Sequence, residues 1–284
     1  MKILLSGSQG FIGSRFQTMF GDDNEIFLAH FDQGIGCDIA TVTDGEKNAI
    51  KDVENLNIDV FVNLAWINLG DYSWKTLQRN YILHTNIGEY INRIGVKRVI
   101  NFGSCWEYDS MSGSCIESDT LRTQSRFSAC KSSIRSYFDA LENIDHYWLR
   151  IFFIFGFGQR RSALIPSIMN AIEFDSNLVL HAPGNVLDFV YVDDVARAIM
   201  EFCETNEHTP EIYNIGTGRG RSCLEIFEKL QSQVDRLISA DFPNGQEFCN
   251  QKFWANTEKI ESMTWFKNVT QIDDALRLTR SFYL

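Results

Sequence analysis

KILLSGSQGFIG, residues 2–13, joins a short apolar run to a glycine-rich turn, and an amphipathic stretch continues from there to residue 20. The apolar run is typical of a buried strand, and Gly-x-x-Gly-x-x-Gly between a strand and a helix is typical of a phosphate-binding turn. Glycines allow the backbone to approach a pyrophosphate closely, and a helix N-terminus presents free N–H groups to it. We therefore predict that a dinucleotide cofactor binds at Gly7, Gly10, Phe11, Ile12 and Gly13.

The alternation of strand and helix patterns continues along the first half of the chain. Apolar or β-branched runs occur at 2–6, 25–31, 60–65, 98–104 and 146–152, with amphipathic stretches near 11–20, 43–56, 74–94 and 125–142. This order predicts an α/β fold with a doubly wound parallel sheet. We predict a dinucleotide-binding domain at 1–156, to which segments near 188–216 return, and a smaller C-terminal lobe formed by 157–187 and 217–284.

Composition limits the classes of partner. The 284 residues are 44% hydrophobic and 22% charged, which is enough apolar material for a sizeable core. A net charge of −11 argues against nucleic acid as a partner. No apolar run approaches the ~20 residues that span a bilayer, and the seven cysteines form no Cys-x-x-Cys pair, so we expect no membrane insertion and no metal site. Because the chain opens directly with a strand pattern, we expect a cytoplasmic protein with reduced thiols.

The residue at the end of the second strand decides between the two nicotinamide dinucleotides. An acid there binds the ribose hydroxyls of NAD, whereas a neutral or cationic side chain leaves room for the 2′-phosphate of NADP. The hydrophobic pattern ends this strand at Ala29, which gives the position to His30 and favours NADP. If the strand runs two residues longer, Asp32 takes the position and NAD is favoured instead.

Several further motifs occur in a characteristic order. They are Asp38-Ile39, Leu64-Ala65, Asn80, NFGSCWEY at 101–108, DFVYVDDVARAI at 188–199 and YNIGTG at 213–218. Together with the glycine turn, they make nearly the whole chain resemble the extended short-chain dehydrogenase/reductases, in particular the nucleotide-sugar epimerases, dehydratases and 4-ketoreductases. The resemblance implies a Rossmann-type fold. It also implies that Asp38 and Ile39 contact the adenine and that Leu64 and Ala65 lie against the cofactor.

In that family a Ser or Thr and a Tyr-x-x-x-Lys pair perform the reaction, and the resemblance assigns these positions to Ser104, Phe127 and Lys131. The family's tyrosine exchanges a proton with the substrate oxygen, which the Ser or Thr also contacts. The lysine holds the nicotinamide ribose and lowers the pKa of the tyrosine. Phe127 keeps the ring but has no titratable atom, so we expect slow turnover. An introduced Tyr→Phe exchange and a natural loss of the tyrosine both fit the sequence.

Other departures from the family pattern narrow the chemistry. The family's 4,6-dehydratases carry an Asp-Glu pair after the Ser or Thr, and here these positions are Cys105 and Trp106, which argues against dehydration. Leu187 and Phe153 replace an arginine and an asparagine of the pattern. Trp66, which follows Leu64-Ala65, fits two interpretations: it packs against the sugar, or it belongs to the core. In place of the missing arginine and asparagine, we expect arginines of the smaller lobe to bind the substrate pyrophosphate. Those arginines are Arg160, Arg161, Arg219 and Arg221.

These features predict an enzyme that reduces the C4 keto group of a nucleotide-diphosphate deoxy-keto-sugar, with NADP, or alternatively NAD, as cofactor. One alternative is a nucleotide-sugar 4-epimerase, and another is a catalytically silent NAD(P)-binding regulatory protein. The resemblance also implies a homodimer, packed through the helices near 80–94 and 126–141.

Overall fold

The computed structural model describes residues 1–31, 39–43, 53–110, 112–122, 125–235, 238–241 and 251–283. The chain divides into two compact units whose segments alternate along the sequence. Unit 1 comprises Met1–Ser110, Asp119–Arg150 and Ala196–Tyr213. Unit 2 comprises Met111–Ser118, Ile151–Val195 and Asn214–Leu284.

The strands and helices are numbered in chain order. The strands are β1 (Lys2–Ser6), β2 (Glu25–Phe31), β3 (Ile39–Thr43), β4 (Val60–Asn63), β5 (Arg98–Ser104), β6 (Ser112–Cys115), β7 (Asp145–Ile151), β8 (Phe153–Phe155), β9 (Leu178–Val179), β10 (Val186–Tyr191), β11 (Ile212–Ile215), β12 (Gly220–Ser222), β13 (Ala240–Asp241) and β14 (Lys252–Ala255). The helices are α1 (Phe11–Phe20), α2 (Trp74–Arg93), α3 (Arg126–Asp139), α4 (Leu164–Phe174), α5 (Val192–Glu204), α6 (Cys223–Gln231), α7 (Thr264–Lys267) and α8 (Ile272–Arg280).

A seven-stranded sheet with the order β11-β7-β5-β4-β1-β2-β3 forms the centre of unit 1. Strand β1 pairs in parallel with β2 and β4, and β4 pairs in parallel with β5. Strand β3 pairs antiparallel with β2 at one edge. This arrangement confirms the predicted α/β fold with its parallel, Rossmann-type sheet.

The central strands of this sheet are apolar on both faces. Ile3, Leu4 and Leu5 of β1 and Val60, Phe61 and Val62 of β4 are almost completely buried. Continuous apolar runs of this kind occur where helices cover both sides of a parallel sheet. One core cluster joins Leu4 and Phe61 to apolar residues of α2 and α3, so those two helices are fixed against the sheet; the helix residues include Leu77, Leu83, Ile87, Cys130, Ile134 and Phe138.

Unit 2 contains a smaller sheet with the order β12-β10-β14-β6, in which β8 also pairs with β10. Segments near 188–216 were predicted to return to the dinucleotide-binding domain, and for the first of them this is wrong, because β10 belongs to this smaller sheet. The backbone of β10 pairs with β12, β14 and β8. The buried carboxylate of Asp188 in β10 also accepts hydrogen bonds from the amides of Thr217, Gly218 and Ala255 of unit 2. The segment at 212–216, by contrast, does supply a strand of the large sheet, β11.

Two further expectations concerned a helix at 43–56 and the absence of membrane insertion. Most of the predicted helix at 43–56 lies outside the described residues, and within it Glu54–Leu56 forms a single 3-10 turn. None of the helices in the described part of the chain has the length and apolar character needed to cross a membrane.

Candidate functional site

The glycine turn has the geometry of a phosphate-binding loop. Gly7 has a φ of +67°, and a Cβ atom there would meet the carbonyl oxygen of Leu64 at 2.5 Å. A side chain at Gly13 would collide with the Gly7 carbonyl. Helix α1 begins directly after Gly10, which has extended backbone angles and donates its N–H to the Gly7 carbonyl at 2.9 Å. The N–H groups of the first turn of α1 are therefore available to an anion.

A cleft of about 440 Å³ opens beside this turn. It is lined by the turn residues Gly7–Gly10, by the end of β2 at Ala29 and His30, by the segment Leu64–Asn68 and by Leu83. The structure thus brings together Gly7, Gly10, His30, Leu64 and Ala65 out of the predicted cofactor residues. A turn with glycine at Gly7 and Gly10, next to a helix N-terminus, fits the pyrophosphate of a dinucleotide. Asp32 and Asp38 lie outside the described residues, and Ile39 is described only as backbone of β3.

The end of β2 differs from the prediction. The strand continues to Phe31 instead of ending at Ala29, because residues up to Phe31 pair with β3. His30 therefore lies inside the strand, and its Nε2 is 3.0 Å from Thr43 Oγ1. The next residue along the chain is Asp32, which itself lies outside the described residues.

Lys131 is buried and lies beside the carboxyl end of β5. Its Nζ donates a hydrogen bond to the carbonyl oxygen of Phe102 at 2.6 Å and lies 4.0 Å from the centre of the Trp66 ring. Burial lowers the pKa of Lys131 to about 8, although the Glu107 carboxylate opposes this shift. The protein therefore holds a partly desolvated ammonium next to an aromatic face, and contact of Lys131 with a cofactor ribose stays a prediction.

Phe127 lies one helical turn before Lys131 in an aromatic cluster that also contains Trp66 and Tyr72. The centre of the Phe127 ring is 5.6 Å from that of Trp66 and 5.1 Å from that of Tyr72. The Lys131 Nζ lies 5.9 Å from the Phe127 ring. Tyr72 was not among the residues predicted from the sequence, since it lies in an irregular segment far from Phe127 along the chain.

Ser104 ends β5 and caps the 3-10 turn Cys105–Glu107, with its Oγ accepting a hydrogen bond from the Trp106 N–H at 3.2 Å. The Ser104 N–H donates to Glu107 Oε1 at 2.6 Å. Glu107 is fully buried, and its Oε2 accepts from Trp148 Nε1 and from Arg150 Nε, both at 3.1 Å. Glu107 and Arg150 were missed, although an acidic residue inside an otherwise apolar strand-end motif was an available signal.

A second buried polar network connects the cofactor turn to the sheet. Ser6 Oγ donates to Asn63 Oδ1 at 2.7 Å and accepts from the Ala65 N–H at 3.3 Å. Asn63 Nδ2 lies 2.7 Å from Asn101 Oδ1 and 3.0 Å from His84 Nδ1. Burial, reinforced by the positive charge of Lys131, lowers the pKa of His84 to about 3, so this imidazole is neutral. The network fixes Ser6 directly before Gly7.

The arginines that were predicted to bind substrate all lie in unit 2, and their roles stay predictions. Arg160 and Arg161 are exposed in the segment before α4. Arg219 and Arg221 line one small cavity with Tyr191 and Thr217. Arg219 Nη1 donates to Gln271 Oε1 at 3.5 Å, and Arg221 forms an ion pair with Glu225. Among the described residues, no group of three or more His, Cys, Asp or Glu side chains is arranged to hold a metal ion.

Comparisons with known proteins agree with this geometry. Residues 3–216 match the NAD dependent epimerase/dehydratase family. A CDP-abequose synthase from Yersinia pseudotuberculosis is 23% identical over an alignment covering 98% of this chain and 97% of that protein. A putative UDP-glucose 4-epimerase from Methanocaldococcus jannaschii is also 23% identical, covering 93% of this chain and 92% of that one.

Solved structures show the same fold at low identity. A UDP-glucuronic acid 4-epimerase from Bacillus cereus, in complex with UDP-glucuronic acid and NAD, superimposes with a TM-score of 0.82. It is 21% identical to this chain, and the match covers 99% of this chain and 98% of that one. The family resemblance predicted from the sequence is confirmed. This protein is a member of the NAD dependent epimerase/dehydratase family and belongs to the nucleotide-sugar group of the extended short-chain dehydrogenase/reductases.

Proposed function

We propose that this protein reduces the C4 keto group of a nucleotide-diphosphate deoxy-keto-sugar. The observation that carries the proposal is the turn after Ser104. Cys105 is 2% exposed and Trp106 is an exposed indole, so neither side chain can perform the paired acid and base steps of a dehydration. Reduction needs only a hydride donor, one proton and contacts that hold the ketone oxygen, and these fit the side chains around Ser104 and Lys131.

Phe127 favours reduction over epimerisation. A 4-epimerase first oxidises the sugar, which requires a base to remove the hydroxyl proton, and then reduces it again. Phe127 cannot take up a proton, so the oxidative half of that cycle loses its base. A ketone reduction needs a group that still carries its proton, which an ordinary phenol does at neutral pH, whereas the oxidation needs a group that is already deprotonated.

The cofactor that we propose is NADH. When bound, it supplies the hydride, and the residues proposed to hold it are the glycine turn, Leu64-Ala65 and Lys131. The expectation of NADP rested on a strand ending at Ala29. Strand β2 continues to Phe31, and His30 already contacts Thr43. The residue after the strand is then the acid Asp32, and an acid at this position favours NADH.

For the substrate we keep the predicted contacts as part of the proposal. Ser104 would bind the ketone oxygen, and Trp66 would pack against the sugar. Arg160, Arg161 and Arg219 would bind the pyrophosphate, since guanidinium groups suit bidentate phosphate contacts. We also keep the predicted homodimer through α2 and α3. Sedimentation that shows only monomer at micromolar concentration would reject it.

The test is an incubation of the purified protein with NADH or NADPH and with CDP-, UDP- or dTDP-4-keto-6-deoxyhexose. Loss of reduced nicotinamide in a 1:1 ratio to a 4-hydroxy product supports the reductase. Interconversion of two 4-hydroxy sugar nucleotides without net cofactor loss would identify a 4-epimerase. Cofactor binding without turnover, in the native chain and in its Phe127→Tyr variant, would identify a silent regulatory protein.

A further inference from the structure

We propose that Tyr72 supplies the proton that Phe127 cannot, acting as the general acid at the C4 oxygen of the sugar. This inference rests on the proposed ketone reduction and adds a catalytic residue to it. Hydride addition to the carbonyl carbon moves the π electron pair to oxygen. That oxygen takes the proton of the Tyr72 hydroxyl, and the resulting phenolate regains a proton from water.

The position of Tyr72 is the first argument. Its ring centre lies 5.1 Å from that of Phe127, with the two rings inclined at 58°. A phenol is thus in direct contact with the side chain that occupies the family's tyrosine position. The Lys131 ammonium belongs to the same cluster, 5.9 Å from the Phe127 ring, and a positive charge there stabilises the phenolate left by proton transfer.

The accessibility of Tyr72 is the second argument. The side chain is 46% exposed, so its hydroxyl can exchange protons with water between turnovers. Within the described part of the chain, this hydroxyl makes no hydrogen bond and is available to a substrate.

The neighbouring groups that carry a proton are less suited. His84 is buried, and its pKa of about 3 leaves it without a proton to donate as an imidazolium at neutral pH. Burial raises the pKa of the Cys130 thiol, which already donates a hydrogen bond to the Leu77 carbonyl. Tyr108 is completely buried beneath the Arg150 guanidinium. Tyr72 combines contact with Phe127 and access to solvent.

The segment that carries Tyr72 is anchored at both sides, which is required of a group that must meet one substrate atom. On one side, Asn80 accepts from the Ile67 N–H at 2.8 Å and donates to the Ile67 carbonyl at 3.1 Å. On the other side, the Asp71 carboxylate accepts from the Ser73 N–H at 2.9 Å and from the Thr76 hydroxyl at 2.5 Å. Tyr72 lies between these two sets of hydrogen bonds along the chain.

Four proteins test the proposal: the native chain, Tyr72→Phe, Phe127→Tyr and the double variant Tyr72→Phe/Phe127→Tyr. Tyr81→Phe, an exposed tyrosine on α2, is the matched control. The measurements are kcat with the 4-keto-6-deoxyhexose nucleotides named above and the Kd of NADH by calorimetry. A thermal melt of each variant shows whether it is folded.

We expect Tyr72→Phe to lose ~10²–10⁴-fold in kcat, with unchanged Kd for NADH and an unchanged melting temperature. Phe127→Tyr should restore activity in the Tyr72→Phe background. Activity of Tyr72→Phe within threefold of the native chain would overturn the assignment. Turnover in the variants that carry Phe127→Tyr, with none in the chain that keeps Phe127 and Tyr72, would also overturn the assignment while leaving the proposed reduction intact. Absence of turnover in all four proteins would reject both.

Discussion

Arg150 and Glu107 form an ion pair that is removed from solvent on both sides, with Arg150 Nε 3.1 Å from Glu107 Oε2 and exposures of 1% and 0%. The same carboxylate accepts from the backbone of Ser104, so the pair fixes the carboxyl end of β5 where the proposed substrate contact lies. Attraction by Glu107 keeps the pKa of Arg150 above its ordinary range despite burial. Arg150 therefore stays charged, and its contact with Glu107 serves to position Ser104.

Replacing Arg150 by Met should destabilise the protein by about 3–5 kcal/mol, because the Glu107 carboxylate then remains buried without its cation. Arg277→Met provides the control, since Arg277 is 70% exposed in its pair with Asp274 and such pairs contribute about 1 kcal/mol or less. Urea unfolding at pH 7 measures both. Equal free energies of unfolding for the two variants would contradict the role given to the buried pair.

Lys131 should oppose stability at neutral pH. Its pKa is about 8 in the folded protein and near 10.5 in the unfolded chain, so the unfolded state binds more protons between these values. The cost of burying the charge is fully present below about pH 8 and is relieved as the pH rises towards 10.5. Lys131→Met should therefore raise the melting temperature at pH 7, with a smaller gain at pH 9.5, while abolishing turnover.

Lys75→Met is the control for this change, because Lys75 is exposed on the first turn of α2. Its effect on the melting temperature should be small at both pH values. If Lys131→Met lowers the melting temperature at pH 7, then the hydrogen bond to the Phe102 carbonyl and the contact with Trp66 outweigh the desolvation of the ammonium.

The Asn63 network should connect stability to cofactor affinity. Asn63→Ala removes the partner of three buried polar side chains, namely Ser6, His84 and Asn101. Each unsatisfied buried group costs about 1–3 kcal/mol. Because Ser6 precedes Gly7, we also expect weaker NADH binding by calorimetry. The control is Asn92→Ala, at an exposed position, which should change the free energy of unfolding by about 0.5 kcal/mol or less. Unchanged NADH affinity in Asn63→Ala would show that the Asn63 network does not support cofactor binding by the glycine turn.

The features that could be predicted from the sequence are those encoded by local spacing. The glycine turn follows from Gly7, Gly10 and Gly13 at fixed intervals between a strand and a helix, and Lys131 from its position one turn after Phe127. These patterns depend on neighbours along the chain. The order of the family motifs along the chain then predicts the parallel sheet.

The contacts of Tyr72 and Glu107 could not be predicted in this way. Tyr72 meets Phe127 across 54 intervening residues, and Glu107 meets Arg150 only after β5 and β7 have paired in the sheet. The end of β2 was misplaced for a related reason. His30 and Phe31 continue the strand because β3 provides hydrogen-bond partners. The hydrophobic pattern of β2 alone does not predict this pairing.

Cofactor choice follows from that longer strand. With β2 continuing to Phe31, the next residue is Asp32, and an acid after the second strand binds the ribose hydroxyls and repels a 2′-phosphate. We expect the native chain to bind NADH at least ~10-fold more tightly than NADPH, which corresponds to about 1.4 kcal/mol. Asp32→Ser should reduce this preference, whereas His30→Ala should leave it nearly unchanged, because His30 bonds to Thr43. Calorimetric titration of the three proteins with both cofactors is the measurement. Tighter binding of NADPH to the native chain, lost in His30→Ala, would instead assign the 2′-phosphate to the histidine.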